Sequence, residues 1–389
     1  MQLSLAFPGC HKRAGVERIM LECANHLASR GHDVTVYASE FELESLVSEV
    51  KTKIVGGPRH HIAIAAGWFD RAVTSQLRNS DNSLLCSFGV VSPPGGVHWV
   101  QSVHKAWIET SQRTRSTAGR LKQLCNPIHP LILRREHNHF VNRRYRKVIA
   151  LTERVKYDLQ RFYNVPDEDI VILPNGFSGN EFNTANTTSA RSEMRAQLGY
   201  LDTDKVVIFV ANELDRKGFF PLTRAIAKLN DKDLKLLVVG SVDSSSLSSY
   251  LSSQNLLGRT KFIGPTAQVW RYYAAADVFA LPTIYEAWGM VIVEAMACGI
   301  PVVTSKLAGA AIAVQDGLNG FLLDDPSDPD EIAGKLSRAL NELKSRGSAI
   351  SQSVTAFEWK RILTRYEEIV LECAQTSVSL LPKIEAPVR

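Results

Sequence analysis

The sequence predicts an α/β protein of two domains, each built on a parallel sheet, with a cleft between them. Three observations lead there. The first fifty residues alternate strand, loop, helix and strand. The same alternation restarts near residue 206. The length of 389 residues suits two domains of about 100–200 residues each.

In the first half, Leu3-Ser4-Leu5-Ala6-Phe7 has strand alternation and is followed by a loop from Pro8 to Gly15. Val16, Ile19, Met20, Cys23, Ala24 and Leu27 then recur at helical spacing. Gly31 stops that helix, and Asp33 to Tyr37 reads as the next strand. A βαβ unit of this kind implies parallel strands. In the second half, Val206 to Val210 and Leu234 to Val239 read as strands around a helix at Leu222–Leu229. Val278 to Leu281, a helix near Met290–Cys298, and Val302 to Thr304 continue the rhythm. The linker is expected at or just before the polar stretch Asn183 to Ser192. The last residues, Thr376 to Arg389, contain proline and are expected to carry no element.

Composition excludes several classes. No apolar run approaches the ~20 residues of a membrane span. No Lys or Arg precedes the short apolar run at the N-terminus, so no secretory signal is expected there. The six cysteines form no CxxC pair and are expected to be buried, reduced thiols, which fits a cytoplasmic protein. The formal charge of +5 is unevenly spread. Residues 113–147 hold ten Lys or Arg against one acid, Glu136, so that segment carries +9 and the rest −4.

Four stretches carry residues suited to chemistry. The first is Tyr272 to Pro301, YYAAADVFALPTIYEAWGMVIVEAMACGIP. It reads as helix, strand, loop and second helix. Free backbone N–H groups where that second helix starts, at Gly289, Met290 and Val291, favour an anion such as a diphosphate. Glu294, about one turn in, is suited to accept hydrogen bonds from vicinal hydroxyls such as those of a ribose. Glu286 lies on the loop. By residue type alone, Glu286 suits a helix cap equally well, and Glu294 a solvated helix face. The second stretch, Val210 to Gly218, joins a strand to a helix and holds Arg216 and Lys217. Adjacent cations there clamp a diphosphate, or form a solvated basic pair. The third is the loop from Arg13 to Arg18, where Gly15 lets the backbone approach a phosphate or sugar. The fourth, His98 to Lys105, reads as a strand ending in His104, a polar rim residue or a hydrogen-bond donor to a bound sugar.

Taken together, these stretches resemble the signature of glycosyltransferase family 4, the large retaining family with the GT-B fold. Its E-x7-E pattern is met by Glu286 and Glu294, and AAADVFALP, EAMACGIPVV and DGLNGFLL resemble the family as well. Leu173-Pro174-Asn175-Gly176-Phe177 resembles the end of the family's first domain. The spacing around Arg216 and Lys217 is similar to bacterial lipopolysaccharide-core glucosyltransferases. The chain departs from the pattern at Ala14, where the family often has glycine, and at Ser178, where it has Asp. It departs again at Lys306 to Val314, which lacks the family's usual Glu.

The resemblance implies an α/β GT-B fold of two Rossmann-like domains whose parallel sheets face a central cleft. Residues 1–177 would bind the acceptor and 178–356 the nucleotide-sugar donor, with a final helix at 357–375 crossing back to the first domain. It implies a retaining, metal-independent hexosyltransferase with no resident cofactor. The donor is expected to be a UDP-sugar ahead of GDP-mannose, and the acceptor a glycan or lipid-linked molecule of cell-surface polysaccharide synthesis. The resemblance assigns catalysis to His104, Glu286, Arg216 and Lys217. Donor binding falls to Gly15, Arg216, Lys217, Glu286, Gly289, Met290, Val291 and Glu294. A sugar phosphorylase of the same fold and a non-catalytic sugar-nucleotide-binding module remain alternatives. Few aromatics interleave the basic segment 113–147, which argues against nucleic acid. That segment, with Leu121, Leu124, Ile128, Leu131, Ile132 and Leu133, is expected to dock on an anionic membrane surface at the inner face of the cytoplasmic membrane. A basic acceptor-binding face is the alternative.

Overall fold

The computed structural model describes residues 1–12, 15–57, 62–77, 83–89, 93–114, 121, 123 and 125–375. They form two compact units: Met1–Lys105, Ala118–Leu173 and Leu363–Arg389 make the first, and Ala106–Thr117 with Pro174–Ile362 make the second.

The strands are β1 (Gln2–Ala6), β2 (Gly9–Cys10), β3 (Asp33–Ala38), β4 (Glu40–Phe41), β5 (Lys51–Ile54), β6 (Leu84–Phe88), β7 (Val97–Val100), β8 (Lys147–Ala150) and β9 (Ile170–Ile172) in the first unit. Seven of them form one sheet in the order β5-β3-β1-β6-β7-β8-β9, with β2 and β4 paired separately. The second unit holds β10 (Lys205–Val210), β11 (Leu234–Val239), β12 (Thr260–Ile263), β13 (Val278–Leu281), β14 (Val302–Ser305) and β15 (Gly320–Leu323), ordered β12-β11-β10-β13-β14-β15. Every strand pairing is parallel. Central strands of such sheets are covered on both faces, which is why VVIF, VFAL and VVTS are buried at every position. In each large sheet the strand order reverses beside its first strand, at β1/β6 and at β10/β13. Ligands of open parallel sheets bind beyond the carboxyl ends of the strands at such a reversal.

Several expectations are corrected. The polar stretch itself is a helix, Thr184–Gln197, and the boundary between the units falls before it, between Leu173 and Pro174. The Asn183 side chain caps it, accepting from the Asn186 N–H at 2.8 Å. Its buried face is Thr187, Ala190, Met194 and Arg195, a helical spacing hidden by polar residue types. The first unit closes at Leu173 rather than 177. Phe177 is tied within the second unit, since its N–H donates to the Phe357 carbonyl at 3.0 Å and its carbonyl accepts from the Trp359 N–H at 2.9 Å. The C-terminal helix is Trp359–Gln375. Within the first unit its Tyr366 stacks on Trp99 at 5.0 Å, and Glu367 accepts from His32 at 2.9 Å and from His26 and Arg30 at 3.2 Å each. All six cysteines are free and five are buried, but Cys125 is exposed. Residues Thr376 to Arg389 lie outside the described residues. No helix among the described residues is long and apolar enough to cross a membrane.

Asp277, just before β13, anchors the second unit. It accepts from the Val206 N–H at 2.8 Å and pairs with Arg191 at 2.7 Å, Lys344 at 3.1 Å and Arg195 at 3.4 Å. Burial pushes its carboxyl up, but the Val206 N–H and the Arg191 and Lys344 charges outweigh burial and hold it below its ordinary value. Asp277→Ala would strand Arg195, whose side chain is 3% exposed. Urea denaturation should show a loss of about 3–5 kcal/mol, the range for breaking a buried ion pair. The Asp277 contribution is present above the unfolded carboxylate value and fades as pH falls through the lower folded one. The D277A protein should therefore lose less stability than the parent on acidification. An unchanged denaturation midpoint would refute this role.

Candidate active site

Two segments meet beyond the carboxyl ends of β10 and β13. The first is the short turn Leu214–Lys217, closed by Gly218 in left-handed backbone at φ +83°. The second is the loop from Pro282 to Gly289. They are sewn together: the Arg216 carbonyl accepts from the Ile284 N–H at 3.0 Å and from the Thr283 hydroxyl at 3.1 Å. A Cβ on Gly218 would lie 2.0 Å from the Pro282 carbonyl oxygen, so only glycine permits the approach.

This junction brings Arg216, Lys217 and Glu286 together. Lys217 Nζ donates to the Glu286 carboxylate, and the Arg216 guanidinium lies 3.5 Å from the same oxygen. Arg216 also donates to the Tyr285 carbonyl at 2.8 Å, and its other edge is forked onto Glu213 at 2.9 and 3.0 Å. Burial and the neighbouring guanidinium push the Lys217 ammonium down to about 7. The Glu286 carboxylate in contact with it opposes that shift and favours the charged form. The pair is thus a dense positive centre held by one carboxylate, chemistry suited to an anion.

Gly289, at φ +94°, starts the helix Met290–Ala297 without any side-chain cap. Met290 and Val291 are half-buried at that start. Backbone N–H groups at such an end favour anions. The loop is braced from β14's side, where Gly309 and Ala310 donate to the Glu286 and Trp288 carbonyls at 2.9 and 2.8 Å. Glu294 is 5% exposed on the same helix. Burial first, then the Glu294 charge, raises the Tyr273 phenol and the Cys298 thiol well above their ordinary values. Glu294 is therefore no solvated surface residue.

Gly15 and His104 belong to the first unit. Gly15 begins the helix Gly15–Ser29 after β1, while Arg13 and Ala14 lie outside the described residues. His98 is inside β7, 1% exposed and hydrogen-bonded to the Ser87 hydroxyl at 3.0 Å. The strand ends at Val100, and His104 starts the helix His104–Thr114, where the sequence suggested a strand end. Its Nε2 lies 3.2 Å from His129 Nδ1. Burial and His129 lower the His104 imidazole to about 4, so the ring is neutral at pH 7.

Sequence reasoning missed Glu136, His129 and Tyr163 around His104, and Glu213 beside Arg216. One signal was present for Glu136: it is the single acid among ten cations in residues 113–147.

A doubly wound α/β chain with a cationic centre at a strand-order reversal is of a class that binds anionic, phosphate-bearing ligands. Residues 13–178 match the family model Glycosyltransferase Family 4, and residues 190–353 match Glycosyl transferases group 1. The chain thus carries a glycosyltransferase family 4 domain followed by a glycosyl transferases group 1 domain, on a fold shared with solved GT-B glycosyltransferases. It is similar to D-inositol 3-phosphate glycosyltransferase of Segniliparus rotundus, 31% identical over 227 residues, 55% of this chain and 49% of that one. It also resembles an uncharacterised glycosyltransferase of Methanocaldococcus jannaschii, 29% identical over 200 residues, 50% of this chain and 51% of that one. The chain thus spans about half the length of the curated relatives it matches. Among solved structures, WaaG, a glycosyltransferase involved in lipopolysaccharide biosynthesis, superposes with a TM-score of 0.79 at 20% identity, covering 95% of this chain and 99% of that one. Anabaena HepE, solved with UDP and glucose, gives 0.72 at 20% identity, covering 96% and 100%.

Gly218→Ala should destabilise by more than the about 1–2 kcal/mol that left-handed backbone alone costs, because its Cβ also meets the Pro282 carbonyl. Exposed Gly334, in the helix Pro329–Arg338 with open space around it, is the control. Gly334→Ala should stabilise by up to about 1 kcal/mol. Equal melting shifts for the two variants would contradict the close approach.

Proposed function

We propose that the protein transfers a hexosyl group from a nucleotide-sugar, a UDP-sugar ahead of GDP-mannose, onto a glycan or lipid-linked acceptor in cell-surface polysaccharide synthesis. The observation that carries this reading is the junction of Arg216 and Lys217 with Glu286 beside the uncapped helix start at Gly289. A leaving diphosphate needs stabilisation where its charge develops. Arg216, Lys217 and the N–H groups near Met290 and Val291 supply it, so the reading needs no metal and no resident cofactor. Glu286 orients the donor sugar, and Glu294 holds the ribose hydroxyls. His104 donates a hydrogen bond to the transferred sugar, and Gly15 lets the first unit's backbone approach it. The transfer retains anomeric configuration, with the acceptor hydroxyl attacking the face the diphosphate leaves. The preference for UDP is supported by the likeness to HepE, which was solved with UDP-glucose.

Thermal shift with UDP-, GDP- and ADP-sugars, followed by UDP release and product analysis on the best donor, tests the reading. A ligand at 100 times its Kd adds about 2.7 kcal/mol. Glu294→Ala should weaken UDP binding by about 1.5–3 kcal/mol, the range for a hydrogen bond to a charged group. Turnover that demands inorganic phosphate would replace the reading with a phosphorylase. Binding without turnover on any acceptor would leave a non-catalytic module.

The basic segment supports attachment to the inner face of the cytoplasmic membrane. Arg134, Arg143, Arg144 and Arg146 are exposed, and in the same segment Leu121 and Leu131 are 63% and 46% exposed. Leu124 and residues 115–120 and 122 lie outside the described residues, and Ile128, Ile132 and Leu133 are half-buried. Each Lys or Arg near an anionic leaflet contributes ~1 kcal/mol. Co-sedimentation should occur with anionic but not zwitterionic vesicles, and weaken with salt and with neutralisation of Arg134, Arg143 and Arg144. Absence of sedimentation with anionic vesicles at low salt would end this part of the proposal.

A further inference from the structure

The helix Ile128–Phe140 contributes two side chains, seven residues apart and so on one face, that both reach His104. His129 meets its ring, with Nδ1 3.2 Å from His104 Nε2. Glu136 meets its backbone: one carboxylate oxygen accepts the His104 N–H at 2.6 Å and the other the Lys105 N–H at 3.2 Å. The Tyr163 hydroxyl donates to that second oxygen at 2.6 Å. Glu136 is 4% exposed. The single carboxylate of the most basic stretch of the chain is buried and spent on three donors, two backbone N–H groups and a phenol.

We propose that Glu136 and His129 are positioning residues for His104, Glu136 fixing where the residue sits and His129 fixing the orientation and tautomer of its ring. This rests on the reading of His104 as the group that meets the transferred sugar. A carboxylate at a helix start satisfies backbone N–H groups that otherwise have no partner and favours the positive end of the helix dipole. Glu136 supplies that cap from another helix, so the start of His104–Thr114 is pinned to Ile128–Phe140. The ring contact adds a second constraint. Between Nε2 of one neutral imidazole and Nδ1 of another, a hydrogen bond holds one proton, so the two tautomers are complementary. Whichever ring donates, the proton position on His104 is coupled to that on His129. A hydrogen-bonding role toward a sugar depends on which ring nitrogen carries the proton, and that is what His129 controls. Neither residue touches the reacting atoms in this account.

The test combines two readouts. Long-range nitrogen–proton spectra of the full chain labelled at histidine nitrogen report the His104 tautomer without donor or acceptor. One tautomer is expected in the parent and an averaged mixture in His129→Asn. Unchanged His104 tautomer signals in H129N would overturn the inference, whatever the turnover. The second readout is a cycle of H104A, H129N and the double variant, followed by UDP release from UDP-glucose. H129N should lower kcat about tenfold, within the range that coupled neighbours show, and leave the KM for UDP-glucose within about twofold. It should cost nothing further in the H104A background. Full additivity would overturn the inference. Glu136→Gln should likewise lower kcat and speed amide exchange at His104 and Lys105, and Glu136→Asp should recover part of both. Normal exchange at both amides in a folded E136Q protein would overturn the Glu136 half. A changed tautomer in H129N with no UDP release from the parent overturns the donor reading alone.

Discussion

Everything at the candidate site depends on how closely the turn after β10 approaches the strand exit of β13. Gly218 lies against the Pro282 carbonyl where no side chain fits, and the Arg216 carbonyl is held by Ile284 and Thr283. That contact fixes the backbone from which Arg216 and Lys217 project. It also fixes the loop that carries Glu286 and ends at Gly289. Two cations this buried repel one another and lose hydration, which drives Lys217 towards its neutral form. The Glu286 carboxylate in contact with Lys217 and the nearby Glu213 oppose this without cancelling it. On the proposed reading, a diphosphate would meet cations already ordered and already matched to negative charge, so that binding would exchange one anion for another with little rearrangement.

The second unit achieves this rigidity from beneath as well. Asp277 sits at the amino end of β13, the strand whose far end supplies Glu286. It binds a backbone N–H and three cations from the helices and turns around it. Arg195, almost fully buried, spans from the Ala275 carbonyl at 2.9 Å to that of Asp204 at 2.7 Å. Removing one member of a buried charge cluster of this kind leaves the others uncompensated. Their effect here is to fix β13 lengthwise, so that the loop beyond it has one starting point.

The first unit solves a different electrostatic problem. Its basic segment must fold next to its own like charges. The exposed arginines point outward, while Glu136 turns inward to hold the helix start at His104. Burial raises the Glu136 carboxyl to about 7, against the pull of Tyr163 and the two backbone N–H groups. The same helix presents Arg134 to solvent and turns Glu136 and His129 towards His104.

The alternation of strand and helix and the parallel sheets were legible in the sequence, as were Glu286 and Glu294, whereas His104, read as a strand end, starts a helix. Apolar runs such as VVIF and VFAL permit only strands covered on both faces, and the E-x7-E stretch places Glu286 on a loop and Glu294 on a helix. Local chemistry also revealed the glycines, because a strand-to-helix turn needs them. Tertiary structure alone decided the rest, for reasons of distance along the chain. Glu286 lies 69 residues from Lys217 and Glu136 lies 32 from His104, and no spacing rule relates such pairs. The helix at Thr184–Gln197 escaped notice because Thr, Asn and Ala can fill a helical face that only packing makes buried. Sequence determined which side chains stand at the ends of the strands; the order in which the strands pair decided which of them meet.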